Sequence, residues 1–143
     1  MDAIRWGDFG ALNPELAAHI LERLASAPCY FGTVRRDGWP RVHPVGPLAP
    51  RGSCLIVTMY PTSPKAHDLR RNGRFALHGP VEDTTGGGGE VLLVGRAVEA
   101  EPADADRAKG YILFELLIGE VLATSHDHNS LRPVHRRWKA ADS

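Results

Sequence analysis

Cysteine is scarce in this chain: Cys29 and Cys54 are the only two among 143 residues, and no Cys-x-x-Cys pair exists. That excludes a disulfide framework and a zinc ribbon, and it makes reduced thiols in the cytoplasm the expectation. Both cysteines sit in apolar, strand-like runs and read as core. Net charge is missing too, since 17 Lys and Arg balance 17 Asp and Glu. A neutral chain gives no electrostatic argument for a nucleic-acid partner. No apolar run approaches the roughly 20 residues of a membrane span. Met1-Asp2-Ala3-Ile4-Arg5 lacks the basic-then-apolar order of a signal peptide, so no membrane partner is expected. No Ser-His-Asp arrangement or paired-carboxylate motif stands out, which argues against a hydrolase. Internal repeats are absent, and the one biased tract is the glycine run Gly86 to Gly89. It is followed by a strand and not by Gly-Lys-Ser/Thr, so it is not a Walker-type phosphate loop.

What remains is a 143-residue chain, 43% hydrophobic and 24% charged, which fits one globular domain over 1–143 with a real core. Residues 1–12 read as a loosely packed arm whose Trp6 and Phe9 dock elsewhere, for instance on a second subunit. Asn13-Pro14 opens a helix, with Leu16, Ile20 and Leu24 as its buried stripe and Pro28 as its stop. Strands follow at 30–35 and 40–47, joined by the tight-turn pair Asp37-Gly38. The second strand puts Arg41, His43 and Val45 on one face, and Val42, Pro44 and Gly46 on the other. Three prolines and a glycine forbid full pairing there, so it must be an edge or lie beside a ligand.

An apolar strand at 54–60 leads into the segment around which the chain is organised, Ser63-Pro64-Lys65-Ala66-His67-Asp68-Leu69-Arg70-Arg71-Asn72. Ser63 suits an N-cap, Pro64 the first helical position, and Asn72-Gly73 a stop. A short helix therefore begins just past a buried strand with Lys65 in its first turn. Free N–H groups, a hydroxyl and a Lys make a phosphate cradle; a solvated Lys on a surface helix is the plainer alternative. Further strands are expected at 75–78, 90–101, 114–125 and 134–139, with a short helix at 102–109 and a turn at Asn129-Ser130. Six or seven short strands with tight turns and few helices suggest a closed antiparallel barrel.

In this order, Asp37-Gly38, Gly38-Trp39-Pro40-Arg41-Val42-His43-Pro44-Val45, the Ser63–Asn72 segment, Arg74-Phe75-Ala76-Leu77 and Leu93-Val94-Gly95-Arg96-Ala97 resemble the pyridoxamine 5′-phosphate oxidase-like, flavin-binding split-barrel family. The likeness runs from about Ala27 to the C-terminus. It implies a mainly β, α+β fold, a six-stranded antiparallel split β-barrel with peripheral helices. It also implies a homodimer with two cofactor sites across the interface. Ser63 and Lys65 match the positions that hold the cofactor phosphate. The strand Arg41–Val45 matches the one lying along the isoalloxazine ring, and Thr58 a further polar contact. The cofactor implied is FMN, with a deazaflavin coenzyme or haem as alternatives, and the activity is an oxidoreductase acting on a small molecule. A non-enzymatic carrier of flavin or haem is the other reading. The second basic block that the true pyridoxamine phosphate oxidases use for substrate phosphate is lacking here.

Four residues stay open on their own chemistry. His43 is either a ring or substrate contact or a barrel-mouth histidine bonded to backbone. Trp138, between basic residues, either stacks on the flavin or is a rim aromatic at the dimer interface. His126 and His128 have the spacing of half a metal site, but no nearby Cys or Glu completes it, and no metal is expected.

Overall fold

The computed structural model describes residues 1–81, 89–126 and 132–142. In chain order the elements are α1 (Trp6–Leu12), α2 (Pro14–Ser26), β1 (Cys29–Val34), β2 (Pro40–Val45), β3 (Pro50–Arg51), β4 (Cys54–Met59), α3 (Pro64–Arg71), β5 (Arg74–His78), β6 (Glu90–Ala100), α4 (Asp104–Ala108), β7 (Ile112–His126) and β8 (Pro133–Lys139). The Gly86–Gly89 run, apart from Gly89, and the Asn129-Ser130 turn lie outside the described residues.

All strand pairings are antiparallel. The strands follow the order β2-β1-β5-β6-β7-β4-β3, and β8 also pairs with β7. The sheet is open and not closed: β2 ends it on one side and β3 on the other. Composition explains the open edge. Pro40 and Pro44 carry no N–H to donate, so β2 is suited to an edge. Among the described residues the strands number eight, because a two-residue strand, β3, folds back on β4 through Gly52 at φ 60°. Between β1 and β2, Gly38 takes φ 87° and closes the turn, with its N–H on the Arg35 carbonyl.

β7 is the organising strand. β6 runs along one of its edges with one irregularity between Val94 and Gly95. Its other edge is shared by three segments: β4 pairs with residues 112–115, Ile4 bridges to Ile118, and β8 covers 120–126.

Helix α2 buries Leu16, Ile20 and Leu24 as its spacing predicts. It stops at Ser26 because Ala27 precedes a proline and is pushed into extended backbone. Residues 1–12 are not a loose arm. They form a bridge at Ile4 and the helix α1, whose Trp6 is 5% and Phe9 0% exposed. The two aromatic rings lie 5.4 Å apart, and Phe9 packs edge-on against Trp138 at 5.0 Å. Two aromatics in one short turn carry no periodicity that a sequence pattern reveals, yet they bury most of this helix's apolar surface. Phe31 and Phe75 stack at 5.5 Å in the same core. Cys29 is fully buried, and burial pushes its thiol up to about 11, in keeping with a core residue.

Candidate functional site

The site grows from the end of β4. Tyr60 turns the chain, its carbonyl accepting the Ser63 N–H at 3.0 Å. Ser63 is extended at the N-cap position of α3 and Pro64 opens the helix. Its hydroxyl, however, makes no cap bond. The Ser63 carbonyl accepts the Ala66 N–H at 3.0 Å, while the hydroxyl receives Lys65 Nζ at 2.9 Å. The Lys65 side chain thus folds back over the start of its own helix. It is half-buried, and burial lowers its pKa from the usual lysine value. Among the described residues it has no carboxylate partner, and the first turn of α3 holds no acid.

β2 brings up the second half. Its alternation is the expected one, with Arg41, His43 and Val45 directed inward and Val42, Pro44 and Gly46 exposed. Arg41 is committed: its Nε donates to Asp68 Oδ2 at 2.7 Å. His43 is not. Its Nε2 is buried with no hydrogen-bond partner, so the backbone-bonded arrangement is not formed at that nitrogen. Burial foremost, then Lys65 and Arg41, hold the imidazole pKa below the usual value, against the opposing pull of Asp68. His43 is therefore neutral near pH 7 and within the field of both cations.

Asp68 is the residue the sequence reading missed. It is 2% exposed and sits in α3 with three donors around it. Besides Arg41, Thr33 Oγ1 donates to Oδ2 at 2.8 Å and Arg71 Nη2 to Oδ1 at 3.0 Å. Burial alone would raise its carboxyl pKa, but these bonds outweigh that and hold it below the usual value. One signal was present in the sequence. An acid near the C-terminal end of a helix opposes the dipole and calls for a cationic partner.

Val45 and Thr58 line a cavity of about 280 Å³ between the 46–50 loop and β4. Tyr60 and Tyr111 form a T-shaped pair at 5.1 Å beside the start of α3, which sequence reasoning also passed over. Trp138 is partly buried and packs edge-on against Phe9 at the margin of the core. His128 lies outside the described residues, as does the side chain of His126. Among the described residues no group of three His, Cys, Asp or Glu is placed to hold a metal.

The arrangement offers a cation, a hydroxyl and an unpartnered imidazole nitrogen at a helix start, which is the chemistry of an anion site. No family model matches the sequence, and no curated protein does. Solved structures do match. A heme-binding protein from Mycobacterium smegmatis is 13% identical with a TM-score of 0.63, over 83% of this chain and 57% of that one. A candidate pyridoxamine 5′-phosphate oxidase from Listeria innocua is 14% identical with a TM-score of 0.62, over 78% and 97%. An F420 reductase is 16% identical with a TM-score of 0.55, over 70% and 93%. The fold is that of the pyridoxamine 5′-phosphate oxidase-like split-barrel proteins.

Proposed function

We propose that this chain binds a phosphate-bearing flavin, FMN in the first place and a deazaflavin coenzyme in the second, and acts as an oxidoreductase on a small, flat molecule. The observation that carries the reading is Lys65: a half-buried ammonium bonded to Ser63 and to no carboxylate among the described residues. Such a group is costly unless an anion meets it. The residues fit a phosphate there. Ser63 and Lys65 would hold it, Arg41, His43 and Val45 would line the ring strand, and Thr58 would add a polar contact. A bound flavin supplies hydride transfer. The protein's share is to orient the group, exclude water and leave proton exchange to solvent or to His43. Free thiols at Cys29 and Cys54 suit a cytoplasmic site of action.

The two-fold partner belongs to this reading. Val42 and Tyr30 on the outer face of β2 and β1 are 66% and 57% exposed, and Val42 borders a mostly apolar cavity of about 320 Å³ that reaches Ala76. A second copy packed there would cover the face and the unpaired edge of β2.

A haem-binding reading has one observation in its favour, the orphaned Nε2 of His43, which suits an iron ligand. Titration separates the two. FMN, a deazaflavin coenzyme and haem are added in turn to wild type and Lys65→Ala, with absorbance and fluorescence recorded. FMN should bind, and the variant should lose about 1.5–3 kcal/mol, the worth of a charge-assisted contact. Equal dissociation constants would remove Lys65 from the site. A Soret band lost in His43→Ala, with no flavin binding, would establish the haem reading.

A further inference from the structure

Register fixes which side chains of the central strands share a face. Arg74 lies across from Arg96, Val94 from Glu120, and Leu92 from Leu122. Directly opposite residues point the same way, as do residues two apart along a strand. Arg74, Arg96 and Glu120 therefore share the outer face with Leu92, Val94 and Leu122, while Phe75, Leu93 and Val121 point into the core. The face continues over β5 and β1 to Tyr30 and Val42. Arg74 and Arg96 line one cavity of about 260 Å³ together with Val94. Gly73 makes room for them: a Cβ there would come 3.4 Å from Arg96 Cγ and 2.6 Å from the Ala97 carbonyl oxygen. Like charges directly opposite are destabilising, yet neither arginine enters an ion pair among the described residues. Glu120, half-buried, enters none either. The other acids of the face are matched, Glu90 with His78 at 3.4 Å and Glu115 with Arg5 at 3.0 Å. Arg137 and Lys139 join it from β8, opposite Leu122 and Glu120, but both are exposed and Lys139 forms no ion pair with Glu120. His135 is bonded to Thr124.

We propose that a second copy of this chain seats on the outer face of β5, β6 and β7, with Glu120 of each copy set against the Arg74–Arg96 pair of the other. This rests on the two-fold reading above and names what selects the partner. A two-fold contact must be self-complementary: what residue i meets, the other copy's residue i meets in return. This face meets that condition. Its carboxylate and its arginine pair stand diagonally on either side of Val94, so an axis near Val94 lays each carboxylate over the other copy's guanidinium groups. The guanidinium fork matches a carboxylate in a way the Lys139 ammonium does not. Leu92, Val94 and Leu122 supply the apolar centre, and Arg137 and Lys139 stay in water at the rim, where a charge contributes little.

The test is a charge swap on the full chain without cofactor, read by sedimentation over a range of micromolar concentrations. Glu120→Arg and Arg96→Glu alone should each raise the dimer dissociation constant at least about tenfold, because each sets like charges against each other across the interface. The double variant rebuilds the pair in reverse and should return to within about threefold of wild type. Lys139→Gln should change the constant by less than about threefold. A dimer indifferent to both single reversals would sink the pairing and leave the two-fold partner standing. Weakening by both singles without recovery in the double would sink it too, as would a Lys139→Gln loss equal to that of Arg96→Gln. A wild-type monomer would sink the pairing and the two-fold reading together. Urea midpoints check that each variant folds. If the reversals do not fold, Glu120→Gln, Arg96→Gln and their double replace them. The double should then be no weaker a dimer than the worse single, and additive losses would overturn the proposal.

Discussion

His43 presents a buried ring nitrogen with no partner, and burial first, then Lys65 and Arg41, hold the ring neutral. A neutral imidazole can line a ring or accept one hydrogen bond, but it is not a charged acid waiting to give up a proton. His43→Gln is therefore expected to slow single-turnover reoxidation of the reduced cofactor by quinones or enones by less than about tenfold, with most of the loss in binding. A loss of about a hundredfold in the reaction step at unchanged affinity would make it an obligatory proton donor. Asp68 makes a different prediction, about stability. Its folded pKa is depressed, so its contribution is fully present above the unfolded value of about 3.9 and is lost as pH falls through the folded value. The urea midpoint of Asp68→Asn should lie well below wild type at pH 7, and the gap should narrow as pH drops below about 4. A gap constant from pH 7 to 3 would mean that the carboxylate charge contributes nothing.

At the scale of elements, β6 and β7 meet closely where the register slips. A Cβ built on Gly95 would come 1.9 Å from the Leu117 carbonyl oxygen. Neither strand can retreat, because β5 and the β4, Ile4 and β8 segments hold them from outside. Gly95→Ala should cost about 2–4 kcal/mol, read from the denaturant midpoint at unchanged slope. A cost under about 0.5 kcal/mol would mean the ladder gives way easily. The elements also show what the sequence could convey. Pro64 opens α3 and Asn72 follows its end as the local pattern predicts, although the Ser63 hydroxyl bonds Lys65 and not the helix, and the alternation of β2 placed Arg41, His43 and Val45 on one face because a strand has a period of two. The contact of Trp138 with Phe9 was not legible in the sequence, because Phe9 comes from the far end of the chain. Asp68 was overlooked for the same reason: beyond its neighbour Arg71, its donors Thr33 and Arg41 lie on β1 and β2, and only folding brings them to α3. The two-residue strand β3 is too short to have a pattern at all.

The whole molecule, with one face of Val42 and Tyr30 exposed and β2 unpaired on one side, is expected to be a two-fold dimer at micromolar concentration. Val42→Asp should shift light scattering to the monomer and lower cofactor affinity with it, since the site would be completed across the interface. A monomer in the wild type would remove the second copy from the account. The shared edge of β7 has a consequence for the order of assembly. Arg5 reaches Glu115 across 110 residues at 3.0 Å, the Met1 amino group meets Asp142 at 2.9 Å, and the Asp2 N–H bonds the Ala141 carbonyl. Closing such long loops costs chain entropy before any contact repays it. The β1–β2 hairpin and the β5–β6–β7 meander can therefore form early, while the seam joining the two chain ends is the last to close and the first to fray. On a ribosome β8 emerges after β7, and until it does the 120–126 edge of β7 stays open to whatever strand reaches it first.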